Sequence, residues 1–213
     1  QAVDYFSHYI MSLHQGGDDA KVEQRLEYNA QLFGTADLVL VNRDRLVICD
    51  LKTGAGNMVS PEENEQLMTY AAMWMHENVG QVPPEIYLTI VQPTDDPQMK
   101  TWVTTPARIE DHMIDVVTAM GSDHIEAGDW CKYCPVRASC PELHAIAMNA
   151  KVMDLDGLSP DEWSEALHMA ELLKTWSASV FDRANQLVSE EGLSIPGYKL
   201  VQKMGRKTWK SEK

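Results

Sequence analysis

The sequence predicts a mixed α/β fold: a mixed central sheet flanked by helices, then a C-terminal cysteine segment and a long helix. Three observations predict it. Apolar residues alternate or run on in short stretches between residues 21 and 52. Helical periodicity brackets those stretches, and beyond residue 125 the pattern changes to clustered cysteines and one extended amphipathic run.

The elements follow in order. "AVDYFSHYIMSL" (2–13) reads as an amphipathic helix, interrupted by "GGDD" (16–19). In "KVEQRLEY" (21–28), Val22, Gln24, Leu26 and Tyr28 alternate with Glu23, Arg25 and Glu27, as on a strand. "TADLVLVN" (35–42) is rich in β-formers, and "RLVICDLK" (45–52) follows the short turn "NRD", which predicts an antiparallel hairpin. Gly54 and Gly56 end it. "SPEENEQLMTYAAMWMHE" (60–77) carries helix-start signals: Ser60 as N-cap, Pro61 at the first helical position and Glu63 three residues after the cap. "EIYLTIVQP" (85–93) and "TWVTTP" (101–106) read as strands, and 106–120 as a helix. Residues 158–192 read as a long helix capped by Ser159, and "IPGYKLVQKMGRKTW" (195–209) predicts a short strand with basic residues.

This organises the chain into a core at 1–125, a cysteine segment at 126–150, and a C-terminal helix with basic tail at 151–213. The chain opens at Gln1 inside a helical pattern, so further residues are expected upstream. No stretch reaches the roughly 18 to 20 apolar residues needed to span a bilayer, so the sequence predicts no membrane association and a cytoplasmic protein.

A net charge of −14 argues against a protein that coats nucleic acid nonspecifically. It leaves room for a local basic surface. Lys199, Lys203, Arg206, Lys207, Lys210 and Lys213 form one near the C-terminus, read either as a DNA contact or as a solvated tail.

The chemistry sits in "LVICDLKTGAG" (46–56). On a strand, Asp50 and Lys52 point the same way while Cys49 and Leu51 point the other. A hairpin turning near 42–45 pairs residues whose numbers sum to about 87, which makes Asp37 and Asp50 cross-strand neighbours. Two adjacent carboxylates repel unless a cation neutralises them. Two oxygen ligands are what Mg²⁺ takes while keeping several waters. With Lys52 on the same face, the set suits phosphodiester hydrolysis. A buried Asp–Lys–Asp ion-pair cluster without chemistry is the other reading of these three residues.

"GTADLVLV", "LVICDLKTG" and "EQLMTYA" together resemble the RecB-like nucleases of the PD-(D/E)XK superfamily, most closely the phage- and prophage-encoded exonucleases with a cysteine cluster. The G-x-x-D motif falls on Gly34 and Asp37, the D-x-K on Asp50 to Lys52, and the Q-x-x-x-Y on Gln66 and Tyr70. The resemblance implies a restriction-endonuclease-like fold. It implies that Asp37, Asp50 and the backbone carbonyl of Leu51 bind Mg²⁺ or Mn²⁺, and that Lys52 assists the nucleophile. Gln66 and Tyr70 would border the site and touch DNA, and Glu23 matches a glutamate often found on the first strand. Its helix-borne ligand ahead of that strand has no assigned counterpart, although His8 and His14 lie in the expected region.

"WCKYCPVRASCPELH" places Cys131, Cys134 and Cys140 in C-x₂-C-x₅-C spacing, with His144 beyond, a pattern that reads as metal binding. The resemblance implies a [4Fe–4S] cluster, which needs four thiolates. The alternative is Cys₃His zinc with His144 as fourth ligand.

The leading expectation is therefore a Mg²⁺-dependent deoxyribonuclease acting on linear DNA ends, duplex or single-stranded, in phage recombination or DNA repair. A phage single-strand-binding or annealing protein is an expected partner. A noncatalytic DNA-binding or assembly module with a structural metal site is the alternative. A metallohydrolase for another phosphodiester or a nucleotide is a third.

Overall fold

The apolar runs have to bury both of their faces, and the architecture does this by placing helices on each side of one sheet. The computed structural model describes residues 2–14, 16–53, 58–92, 98–150 and 154–201. Five strands lie side by side in sequence order: β1 (Asp19–Asn29), β2 (Leu32–Val41), β3 (Arg45–Leu51), β4 (Glu85–Gln92) and β5 (Gln98–Thr104). Neighbours are antiparallel except β3 and β4, which run parallel because helix α2 (Glu65–Glu77) crosses over between them. The fold is the mixed α/β arrangement that the sequence predicts. The chain divides into two units, Gln1–Ser122 and Asp123–Lys213.

In the first unit, β3 is buried along nearly all its length. Leu46 and Ile48 face α2, packing with Leu67, Met68 and Ala71, and with Ile109 of α3 (Pro106–Met120). Val47 and Cys49 face the other way, with Leu38, Leu40, Val91 and Leu13 of α1 (Ala2–Leu13). Cover on both faces explains why this strand reads as a continuous apolar run rather than an alternating one.

The β2–β3 turn closes on Asn42. Its Oδ1 accepts from the backbone N–H of Asp44 at 2.9 Å and of Arg45 at 3.0 Å. The pairs are Leu38–Cys49, Val39–Ile48, Leu40–Val47 and Val41–Leu46, the register that the sequence predicts. Beneath the turn, the Arg45 guanidinium donates to the Leu13 carbonyl at 2.6 Å and to the Asp18 carboxylate at 2.9 Å. This buried pair ties the end of α1 to the start of β3.

Two elements depart from the expectation. Helix α2 starts at Glu65, capped by Asn64, whose side chain accepts from the Leu67 N–H at 3.1 Å. Residues 60–64 form a separate turn instead. Glu63 sits in the left-handed region (φ +51°), which breaks helical continuity. Its carboxylate takes the Arg108 guanidinium rather than reaching back to Ser60. The short strand expected after Ile195 is likewise absent through Val201. Pro196 and Gly197 (φ +82°) make a turn closed by Tyr198 N–H to the Ile195 carbonyl at 3.1 Å.

The second unit contains two short 3₁₀ turns (Asp129–Tyr133 and Arg137–Ser139), α4 (Pro141–Ala150) and α5 (Pro160–Glu190). α5 begins on the predicted cap. Ser159 Oγ accepts from the Glu162 N–H, and the Glu162 carboxylate accepts from the Ser159 N–H at 2.8 Å. No helix among the described residues is long and apolar enough to cross a membrane.

Candidate active site

Asp50 is the second-last residue of β3, on the face covered by α2, and is only 5% exposed. A carboxylate this buried needs partners. Its Oδ1 accepts from Gln66 Nε2 at 3.1 Å. Its Oδ2 lies 2.8 Å from Lys52 Nζ, within ion-pair range, yet has no aligned hydrogen-bond donor.

Lys52 extends from the strand end, where its backbone N–H continues the parallel ladder to the Val91 carbonyl at 2.9 Å. Its ammonium donates to Gln66 Oε1 at 2.7 Å. Gln66 thus uses both ends of its amide: the carbonyl holds Lys52, and the NH₂ holds Asp50 and also donates to the Tyr70 hydroxyl at 3.1 Å. Residues i and i+4 share a helix face, so the first turns of α2 present Gln66 and Tyr70 together. The Glu63–Arg108 pair anchors the turn just before that helix start to α3.

Asp37 precedes the Leu38–Cys49 pair, so one further step of the same register sets it opposite Asp50. It is half-buried, and its Oδ2 accepts from the Leu51 N–H at 2.7 Å. This bond fixes one carboxylate against the strand that carries the other. Tyr70 is placed from below: a Cβ on Gly34 would lie 2.6 Å from its ring, so glycine is what lets the ring lie against β2.

Glu23 stands apart. By the β1–β2 register it falls opposite Asp37, but that pairing is interrupted, its φ is +50°, and its side chain is exposed. It makes no hydrogen bond or ion pair with a described residue of this network. Cys49, next to Asp50 but facing the opposite cluster, is fully buried. Burial first, then the nearby Asp50 and Asp37 charges, push its thiol up to about 12. It is an inert packing residue.

Sequence reasoning found Asp37, Asp50, Lys52, Gln66 and Tyr70 and missed how they are joined. The Gly34–Tyr70 approach and the Glu63–Arg108 anchor join residues 36 and 45 positions apart. The one local signal was a glycine three residues before Asp37.

A family model described as "Protein of unknown function (DUF2800)" matches residues 1–213. The chain belongs to this family. The DUF2800 chain is also similar to a solved structure titled "Crystal structure of SSO0001", at 17% identity over 65% of this chain and 68% of that one. With a TM-score of 0.33, that likeness is too slight to argue from.

In the DUF2800 protein the carboxylate pair suits a hard divalent cation. Two neighbouring carboxylates, one of them buried, are oxygen donors of the kind that Mg²⁺ or Mn²⁺ accepts with waters completing its shell. Among the described residues no three His, Cys, Asp or Glu side chains stand together closely enough to hold a metal ion. That applies also to the cysteine segment. Cys131 and Cys140 belong to one cluster with Leu143, Leu172 and Trp176, Cys134 is half-buried, and His144 is exposed. No step of the chemistry is assigned to them. Of the basic residues near the C-terminus, Lys199 is exposed, while Lys203, Arg206, Lys207, Lys210 and Lys213 lie outside the described residues.

Proposed function

We propose that this protein is a RecB-like, Mg²⁺- or Mn²⁺-dependent deoxyribonuclease that hydrolyses phosphodiester bonds at linear DNA ends. One observation carries the reading: Asp37, Asp50, Lys52, Gln66 and Tyr70, from three separate elements, meet at one end of β3 around the buried Asp50 carboxylate.

Asp37, Asp50 and the Leu51 carbonyl would hold the cation. Once bound, it would stabilise charge on the phosphate and acidify a water. Gln66 keeps the Asp50 carboxylate oriented and holds the Lys52 ammonium ready. Lys52 would position the attacking water and offset negative charge developing on the phosphate. Tyr70, locked by Gly34 and Gln66, gives the site a fixed wall against the substrate.

The setting that fits is phage recombination or DNA repair in a bacterial cytoplasm, beside a single-strand-binding or annealing protein. Only the C-x₂-C-x₅-C spacing supports a structural metal group in the cysteine segment, a [4Fe–4S] cluster or zinc with His144, since the described side chains there are not gathered to hold one. The Lys52–Asp50 ion pair favours one other reading, a noncatalytic DNA-binding module whose carboxylate is already neutralised from within. End-labelled linear DNA incubated with Mg²⁺, beside covalently closed circles and an EDTA control, separates the two. Metal-dependent loss of label with circles spared is the expected result. Intact DNA from folded, Mg²⁺-loaded protein would leave only the binding module.

A further inference from the structure

One face of α5 is packed and the opposite one is open to solvent. Leu172 and Trp176 pack with Cys131 and Leu143 of the cysteine segment. On the far side of the helix, at about 100° per residue, a second stripe runs along its length. In its first half this stripe holds Trp163, Leu167, Ala170 and Lys174, spaced four, three and four residues apart. Ser177 follows after three more, and Phe181, Ala184 and Val188 repeat the spacing. This is the unbroken seven-residue period with which helices pair side by side. Trp163 is 43%, Leu167 62% and Phe181 58% exposed. The acidic residues of α5 lie off the stripe, and its one charge, Lys174, is paired with Glu171 at 3.3 Å.

We propose that this stripe is the contact between two copies of the chain, with their α5 helices side by side and antiparallel. The order of the side chains selects a second copy as the occupant. About a two-fold axis between Thr175 and Trp176, Trp163 meets the second copy's Val188, Leu167 its Ala184, Ala170 its Phe181 and Lys174 its Ser177. Each layer sets a large side chain against a small one, as close packing requires. Both copies use the same surface, as a closed dimer does. Parallel helices would instead set Trp163 on Trp163 and Lys174 on Lys174, and would leave Ala170 facing Ala170. A cavity at the end of the stripe points the same way. Phe181, Ala184 and Val188 border an open space of about 320 Å³ that Ile195 and Tyr198 line from the other side. In the antiparallel pair the second copy's Trp163 arrives at this cavity, so the exposed indole at one end of α5 fills the space at the other, twice per dimer. An aromatic anchor in a pocket is the kind of contact that carries most of an interface's affinity. The two central layers, Lys174 against Ser177, fix the register at some cost in stability.

The proposal is independent of the nuclease reading and is tested without DNA. Sedimentation velocity of the full chain should show a concentration-dependent dimer with a micromolar Kd. Leu167→Glu, Ala184→Lys and Trp163→Ala should each weaken it at least about tenfold. None of the three residues is buried, so the variants should keep the parent's circular dichroism. Mixed in equal amounts, Leu167→Glu and Ala184→Lys should dimerise again. The antiparallel contact brings the carboxylate of one variant against the ammonium of the other, whereas a parallel one keeps them apart. A wild type that stays monomeric at about 100 μM, well above the Kd expected of the contact, would overturn the proposal and leave the stripe to another protein. A dimer that withstands Leu167→Glu and Trp163→Ala would form through another face and overturn it as well. Mixed variants that stay monomeric would overturn the antiparallel pairing.

Discussion

The ring of Tyr70 lies where a side chain on Gly34 would have to go: a Cβ there would sit 2.6 Å from the ring carbon Cε1. This contact couples β2 to α2 directly behind the carboxylate pair. It also keeps the Tyr70 hydroxyl within 3.1 Å of Gln66, which bonds Asp50 and Lys52.

Gly34→Ala should therefore displace Tyr70 and loosen Gln66, costing about 1–3 kcal/mol of stability as overpacking does. The cost should shrink in a Tyr70→Ala background, because the clashing ring is gone. Urea unfolding of the double-mutant cycle reads this coupling, with about 0.5–3 kcal/mol expected for residues in contact. Additive effects would mean that the two residues do not meet.

The Asp18–Arg45 pair is the second structural prediction. The Asp18 side chain is fully buried, also accepts from Asn42 Nδ2 at 2.6 Å, and meets an arginine that is 7% exposed. Asp18→Ala leaves that guanidinium buried without its counter-charge and should cost about 3–5 kcal/mol. Replacing both residues with apolar ones of similar volume should cost clearly less. Urea midpoints of the single and double variants compare the two.

How much of this was legible in the sequence depends on the range of the interaction. The β2–β3 register was, because a three-residue polar turn leaves the hairpin one way to close with its apolar faces inward. The start of α2 was not. Ser60, Pro61 and Glu63 make a good local cap signal, yet Arg108 draws Glu63 away, and that partner lies 45 residues on. The strand expected near Tyr198 does not form through Val201 for a related reason: β-formers need a partner strand, and no described strand pairs with residues 195–201. The residues of the site were visible as types and spacings. The packing that holds them, Gly34 under Tyr70 and the Gln66 amide between two charges, depends on a helix crossing that spacing alone does not specify.

His112 predicts the pH dependence of the first unit. It is 7% exposed and paired with Thr69 Oγ1 at 2.9 Å. Burial, then the Arg108 charge, lower its pKa from 6.5, outweighing the opposite pulls of Glu65, Asp115 and Glu63. The folded state thus resists protonation. The stability this group contributes is fully present above 6.5 and falls as pH drops from there through the lowered folded value. An NMR titration should give a His112 pKa below 6.5, and His112→Gln should flatten the loss of stability in that window. A normal or raised pKa would contradict the buried, neutral imidazole.

Cation binding should be visible without any catalysis. Mg²⁺ that binds only the folded site stabilises it, by about 2.7 kcal/mol at a concentration 100 times Kd. Calorimetry or thermal unfolding should show that gain in the wild type and lose it in Asp50→Asn and in Asp37→Asn. A Mg²⁺ effect that survives both substitutions would place the cation elsewhere.

The most direct test of the central claim is the single-turnover cleavage rate of end-labelled linear DNA by the wild type, Asp50→Asn and Lys52→Ala, each confirmed folded, with Mg²⁺ present. The account predicts cleavage by the wild type and a loss of at least about 10²-fold in each variant, the scale expected for groups acting on the transition state. Equal rates in all three, or no cleavage by the wild type, would contradict it and return Asp50 and Lys52 to the role of a buried ion pair.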